Sequence, residues 1–160
     1  MPIGKFLGGV GALIWHEPNQ KYLLLKRSDH RDFQAGAWEC VTGRVDQGES
    51  FEDALHREVM EEIHAKVVID FIVATSHFYR GKRTDDNELL SIIYSCTIQE
   101  PSQITLDNEH SNLLWLSPAE ALSFLPEDHW LHEVILRAEK IRKYLPDELR
   151  NDFQKRGFEI

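Results

Sequence analysis

Apolar residues in the first part of the chain occur in short runs separated by turn residues, a pattern typical of β-strands. Residues 6–15 are apolar and rich in glycine, and residues 22–25 form a second apolar run. Between them lies the segment Glu-Pro-Asn-Gln, residues 17–20, which favours a turn. We therefore predict a β-hairpin within the first 25 residues.

Further apolar runs, rich in Val, Ile and aromatic residues, predict more strands downstream. They occupy residues 38–41, 67–79, 88–98 and 113–116. Residues 28–37 and 101–110 are polar and predict loops, and the charged segment 80–87 predicts a turn.

Residues 50–64 have the pattern of an amphipathic helix. Ser50 is a suitable N-cap, and Asp53 stands where a capping box places an acid. Every fourth position is apolar, which forms one stripe for burial: Leu55, Val59 and Ile63. The carboxylates of Glu58, Glu61 and Glu62 occupy i, i+3 and i+4 and share another face. Like charges at this spacing are costly for a helix, which indicates a bound cation, most simply a divalent metal ion.

The C-terminal third is predicted to be helical. Ser117 and Pro118 start a helix to residue 124, and residues 130–144 form a longer amphipathic helix that Pro146 ends. Strands interleaved with helices predict an α/β fold, a mixed sheet covered on both faces. We predict one domain over residues 1–146 and a C-terminal tail, 147–160, that is either a short helix or disordered.

Composition narrows the classes of partner. The 160 residues carry a formal net charge of −9, which disfavours a nucleic-acid polymer or an anionic membrane as partner. Small phosphate ligands remain compatible, because they can approach through bound cations. Cys40 and Cys96 are too few for a disulfide framework, so we expect them to be reduced and buried in a cytoplasmic protein. A monomer and a homodimer both remain open.

One stretch is far more specific than the rest. Residues 43–62 read G-x5-E-x7-R-E-V-x-E-E, which resembles the Nudix box. The matching positions are Gly43, Glu49, Arg57, Glu58, Val59, Glu61 and Glu62. The pattern departs from the family at His64, where the box has glycine, at Ala65, a weak aliphatic, and at Thr42, where glycine is usual.

The resemblance implies a Nudix-type α/β/α sandwich with a mixed β-sheet. It also implies Mg²⁺- or Mn²⁺-dependent hydrolysis of a pyrophosphate bond, in a nucleoside triphosphate or a nucleoside diphosphate derivative, by metal-activated water. A charge argument agrees, since a polyphosphate and a carboxylate face can meet only across bridging cations.

By position in the box, the resemblance also implies roles for individual residues. Glu58, Glu61 and Glu62 would bind the metal together with the backbone carbonyl of Thr42. Arg57 would orient a carboxylate, most plausibly Glu49. The general base would come from the box or from Glu109, which precedes a predicted strand and is expected to act as a metal ligand or as the base. The implied catalytic set is Arg57, Glu58, Glu61 and Glu109.

A narrower resemblance concerns the substrate. The segments WECVTGRVDQGE and EHSNLLWL are similar to the dihydroneopterin triphosphate pyrophosphatase branch of the family. That branch also tends to lack the glycine that His64 replaces. Dihydroneopterin triphosphate is therefore an alternative to a nucleotide as the substrate.

Four residues near the box are candidates for substrate binding, each with an ordinary alternative. Lys26 and Arg27 would hold phosphates or simply form an exposed strand end. Arg44 would reach a phosphate or be a solvated loop arginine. Trp38 would stack on a base or belong to the core.

Two other classes of function compete with the enzyme. A non-catalytic nucleotide-binding Nudix module is motivated by the departures at Thr42 and His64. An acidic interaction protein without a small-molecule site requires the spacing of the box to be accidental.

Overall fold

The computed structural model describes residues 4–30 and 33–160, and the strands within them form one sheet. The strands are Leu7–His16 (β1), Lys21–Arg27 (β2), Trp38–Glu39 (β3), Val41–Arg44 (β4), Val67–Tyr79 (β5), Glu88–Ile98 (β6) and His110–Leu116 (β7). The predicted strand at 38–41 is divided at Cys40 into β3 and β4. The last strand begins three residues earlier than predicted, at His110.

The helices are Phe51–Ile63 (α1), Pro118–Phe124 (α2), Trp130–Tyr144 (α3) and Asp147–Arg156 (α4). The first three lie where the apolar periodicity and the caps predicted them. Of the two states open for the C-terminal tail, the structure shows a helix over ten of its residues. The division of the chain into a domain and a tail stays a prediction.

The sheet is mixed, as predicted. Its order is β3-β2-β1-β6-β5, with β4 beside β1 and β7 beside β2. Only β1 and β6 are parallel; the other pairs are antiparallel. The predicted β1–β2 hairpin is paired only at its closed end, through Trp15 with Tyr22 and His16 with Lys21. Beyond that point the strands separate, and β4 takes the place beside β1.

Each face of the sheet has its own apolar core, as the alternation along β1 requires. Val10, Ala12 and Ile14 face α1, whereas Leu13 and Trp15 face the core that α2 and α3 cover. The fold is therefore the α/β/α sandwich that the sequence predicted. No helix among the described residues has the length and apolarity needed to cross a membrane.

The two cysteines lie within these cores, as predicted. Cys40 and Cys96 are fully buried and are not joined in a disulfide. Burial raises the pKa of both thiols well above the ordinary value. Both side chains therefore behave as small apolar core residues.

Candidate active site

The N-terminal end of α1 is held by two side chains. The Ser50 hydroxyl accepts a hydrogen bond from the Asp53 N–H at 3.1 Å, which confirms the predicted N-cap. The Glu159 carboxylate, from the C-terminal end of the chain, accepts hydrogen bonds from Phe51 and Glu52 N–H at 3.0 and 2.9 Å. Ser50 and Glu159 together satisfy three of the N–H groups that a helix leaves without partners.

Arg57 is the central cation of the acidic face. Its Nε and Nη2 bind the two carboxylate oxygens of Glu49 at 2.9 and 3.0 Å, as the sequence suggested. Its Nη1 binds Glu58 Oε1 at 2.8 Å and Glu61 Oε2 at 3.3 Å, and Nη2 also donates to the Arg44 carbonyl at 2.8 Å. The hydrogen bond from Arg57 holds the pKa of Glu49 below its ordinary value. One guanidinium therefore holds together the loop that carries Glu49, strand β4 and two acids of α1.

Gly43 is required because its missing side chain leaves room for Glu58, not because the backbone makes a tight turn there. Its φ is not positive, so glycine is not needed for backbone conformation there. Instead, a Cβ at this position would lie 1.8 Å from Glu58 Cδ. The Glu58 side chain therefore occupies the space that any other residue at position 43 would fill.

Glu62 is the most unusual acid of the site. Only 5% of the residue is exposed. Within the described part of the chain, its Oε2 atom has no hydrogen-bond partner, although His110 Nε2 lies 3.7 Å away. Burial raises the pKa of Glu62 well above its ordinary value, and the charges of Glu39, Glu58 and Asp107 add to this. A carboxylate oxygen in this setting is costly unless a cation binds it.

The arrangement fits a divalent cation. The Glu58 side chain is largely buried, and burial raises its pKa, whereas Glu61 is exposed on the same side of α1. Across residues 4–30 and 33–160, no three His, Cys, Asp or Glu side chains converge into a preformed metal cage. Mg²⁺ does not require one, since it commonly uses one or two carboxylates, several waters and the phosphates of a substrate. A buried carboxylate oxygen without a partner, beside two further glutamates, is a suitable donor set.

A buried polar network lies behind Glu62, and the sequence pattern does not predict it as a unit. Glu39 Oε1 accepts hydrogen bonds from Arg27 Nη1 at 2.8 Å and faces His110 Nε2 at 3.2 Å. His110 Nδ1 lies 3.0 Å from Asp107 Oδ1. The sequence signal for Glu39 was available, because it is an acid within an otherwise apolar strand segment.

Arg27 belongs to this network rather than to the surface. It is 8% exposed, and its Nε also donates to the Phe33 carbonyl at 3.1 Å. The alternative of an exposed strand end is therefore wrong for Arg27. Its predicted contact with substrate phosphate stays a prediction.

The loop that carries Glu109, residues 105–109, is called the acid loop here. It lies against the C-terminal end of α1, where Asp107 N–H donates to the Glu62 carbonyl at 3.0 Å. Its other end is fixed by Ser28 N–H, which donates to the Glu109 carbonyl at 2.8 Å. The fold thus brings the loop of Glu109 to the helix of Glu62, although the two residues are distant in sequence.

The remaining predicted residues lie around this centre. The Thr42 hydroxyl donates to Glu39 Oε2 at 3.2 Å, and the Thr42 backbone opposes the rise in the pKa of Glu62. Arg44 is exposed, and Lys26 is partly buried. Trp38 packs on the core beneath α2 and α3, with its ring 5.3 Å from that of Phe124. This placement favours the core alternative for Trp38.

The comparisons with known proteins agree with the geometry. The profile of the NUDIX domain matches residues 5–138. The nucleoside triphosphatase NudI of Escherichia fergusonii is 27% identical over 110 residues, which cover 64% of this chain and 77% of that protein.

Solved structures share the fold. A MutT protein from Methanosarcina mazei superposes with a TM-score of 0.71 at 25% identity, over 89% of this chain and 99% of that one. The dihydroneopterin triphosphate pyrophosphohydrolase of E. coli gives 0.59 at 21% identity, over 82% and 94% of the two chains. With the box residues gathered around α1, these matches show that the chain belongs to the NUDIX domain family, as a Nudix-type pyrophosphohydrolase.

Proposed function

We propose that this protein hydrolyses a pyrophosphate bond in a nucleoside triphosphate or a nucleoside diphosphate derivative, with Mg²⁺ or Mn²⁺ as cofactor. The observation that carries the proposal is the buried Oε2 of Glu62, which has no hydrogen-bond partner in the described residues and lies beside Glu58 on α1. A polyphosphate cannot approach this negative surface without a cation between the two.

The cation would be held by carboxylate oxygens of Glu58, Glu61 and Glu62, with the Thr42 carbonyl and Glu109 as further ligands. When bound, it would neutralise charge that develops on the phosphates and lower the pKa of a water molecule at the site. The acids of α1 share one face, so this donor set requires no rearrangement of the helix.

The other residues of the site would position these groups. Arg57 and Glu49 form a bidentate ion pair that fixes Glu58 and the loop before α1. Glu109 would accept the proton of the attacking water, or else bind the cation. Lys26 and Arg44 would contact phosphate oxygens, which would place the scissile bond above α1.

A nucleoside triphosphate is the favoured substrate, because the relative from Escherichia fergusonii is a nucleoside triphosphatase. Dihydroneopterin triphosphate is the second candidate, on the sequence resemblance of residues 38–49 and 109–116. Both carry a triphosphate chain, so the same carboxylate face would serve either one.

The decisive experiment is a substrate panel with Mg²⁺ and with Mn²⁺. It should contain the nucleoside triphosphates, oxidised nucleotides, a nucleotide sugar, ADP-ribose and dihydroneopterin triphosphate, with release of pyrophosphate and phosphate measured separately. We expect turnover of at least one triphosphate that EDTA abolishes. Nucleotide binding without turnover of any compound would instead support the non-catalytic module.

The matched variants are Glu61→Gln and Glu62→Gln. Each removes a charge at nearly constant volume, so we expect kcat to fall by about a hundredfold or more while the far-UV circular dichroism stays unchanged. Glu133→Gln, on the exposed face of α3, is the control and should retain full activity. Turnover like that of the wild type in both site variants would remove these residues from the proposal.

A further inference from the structure

His64 departs from the Nudix pattern at the point where α1 ends and meets the acid loop. Its backbone is left-handed, with φ 53° and ψ 36°, and its N–H donates to the Met60 carbonyl at 3.1 Å. This is the conformation for which helices usually use glycine. A histidine side chain at this position therefore needs a compensating contact.

The compensating contact is with the acid loop. His64 Nδ1 lies 2.9 Å from the Thr105 carbonyl oxygen. A carbonyl only accepts hydrogen bonds, so Nδ1 must carry the proton and donate it. Thr105 N–H in turn donates to the Ile63 carbonyl at 3.2 Å, and Asp107 N–H donates to the Glu62 carbonyl. The acid loop thus uses the carbonyls at the end of α1 and the ring of its cap residue.

We propose that His64 is a positioning residue, which holds the acid loop against α1 and thereby sets where Glu109 stands relative to Glu58 and Glu62. A glycine at position 64 would retain the three backbone hydrogen bonds described above, which join residue 64 to Met60 and the acid loop to α1. It would have no ring to bind Thr105. Histidine in place of the family's glycine therefore gives the acid loop a side chain to which it can bind. The part that concerns Glu109 rests on the proposed function, whereas the attachment of the loop does not.

Histidine is suited to this position on two grounds. It is among the residues found more often than average with positive φ. Its ring nitrogen reaches the loop carbonyl while the backbone still closes the helix. The other end of the acid loop is anchored by buried groups, through His110 with Asp107 and Ser28 with Asn108. At the exposed end, the His64 ring adds a side-chain attachment to the backbone hydrogen bond between Thr105 and Ile63.

The test is the variant His64→Gly, which restores the residue of the family pattern. Glycine adopts the left-handed conformation without strain, and this gain offsets the lost ring contact, so we expect Tm to change by less than about 3 °C. We expect kcat to fall about two- to tenfold, the range that one net hydrogen bond supports, while KM stays unchanged. Amide hydrogen exchange at Thr105 and Asp107 should become faster.

Two further variants separate positioning from stability. Gln20→Gly is the matched control, because Gln20 is also left-handed, with φ 49°, and lies at the far end of β1 from Gly43. It should leave kcat and the exchange of the acid loop unchanged. In a Glu109→Gln background, His64→Gly should cause no further loss of kcat, since both changes would act on the same step.

Each outcome tests a different part of the proposal: the attachment of the loop, its link to Glu109, or the proposed function. Unchanged exchange at Thr105 and Asp107 in His64→Gly would overturn the attachment, even if the wild-type chain hydrolysed none of the compounds offered. Faster exchange with wild-type kcat would overturn the link to Glu109, as would an equal loss of kcat in the Glu109→Gln background. Absence of turnover in the wild type, with exchange that responds to the variant, would defeat the proposed function and leave the attachment of the loop established.

Discussion

Single residues of the site are constrained by contacts that the sequence pattern does not reveal. Gly43 matches the box, and its importance was predictable, but its physical reason was not. A glycine in a motif is usually explained by a turn with positive φ, whereas the structure shows close contact with Glu58. Position in a motif identifies such a residue, and only the packing of α1 on β4 explains it.

The variant Gly43→Ala would place a methyl group against Glu58. The added methyl group cannot coexist with the observed Glu58 side chain, because the two would lie 1.8 Å apart. We expect Glu58 to be displaced and kcat/KM to fall by about a hundredfold, with the chain still folded by circular dichroism. The control is Gly11→Ala, on the strand paired with β4, where a methyl group would meet Ile93 at an ordinary 3.4 Å. Equal activity in the two variants would contradict this account.

Buried charge is the other feature at this scale. Arg27 was a candidate for phosphate binding or for an exposed strand end, and Glu39 and His110 were not singled out. All three are buried. Strand alternation can predict which positions face inward, but charged residues at such positions are normally assigned to the surface. They stay buried here because each has a partner within hydrogen-bonding distance.

Among the elements, α1 was predicted almost completely. Its N-cap and its apolar stripe follow from local spacing and lie as expected, whereas Glu62 of the predicted acidic face is buried. The distant partner at its N-terminus was not predictable. Glu159 caps Phe51 and Glu52, while Glu52 Oε1 accepts hydrogen bonds from Phe158 and Glu159 N–H. The end of the chain and the start of the active-site helix therefore cap each other.

The reciprocal cap predicts a specific pH dependence. Partial burial opposes the ionisation of Glu159, but the hydrogen bonds from Glu52 and Phe51 N–H outweigh it and lower its pKa below the ordinary 4.5. A lowered pKa stabilises the folded state above about pH 4.5, and this contribution is lost as pH falls through the folded value. We expect Glu159→Gln to unfold at lower urea concentration than the wild type at pH 7, with the difference narrowing below pH 4.5.

The measurement is the midpoint of urea unfolding across this pH range. Glu148→Gln, at an exposed position on α4, is the control and should follow the wild type throughout. A gap between Glu159→Gln and the wild type that stays constant down to acid pH would show that the cap does not depend on the charge of Glu159.

At the scale of the whole molecule, the C-terminal segment packs against the cores on both faces of the sheet. Gln154 Nε2 donates to the fully buried Asp70 of β5 at 2.6 Å, and Phe158 packs against Tyr94 and Phe153. Phe158 contacts the cores on both faces of the sheet. The segment after Pro146 therefore covers part of both cores in addition to capping α1.

Removal of residues 147–160 tests whether the predicted boundary at 146 is physical. The truncation would expose core surface now covered by Phe153 and Phe158 and would leave an oxygen of Asp70 without its partner. Each lost contact costs about 1–3 kcal/mol, so we expect the free energy of unfolding to fall by about 3 kcal/mol or more. Urea unfolding of the truncated and full chains measures this difference. Equal stability would establish 1–146 as a domain that folds alone.

The sequence by itself determined the family, through the spacing of the box, and the layer order. Both depend on local spacing, since one helical turn places the three glutamates together and alternation assigns each strand residue to a face. Tertiary structure decided which distant groups meet these residues: Gly43 with Glu58, His64 with the acid loop, the network of Glu39 with His110, and Glu159 with α1. Such contacts join segments far apart in the chain, and their geometry follows from how strands and helices pack rather than from any local period.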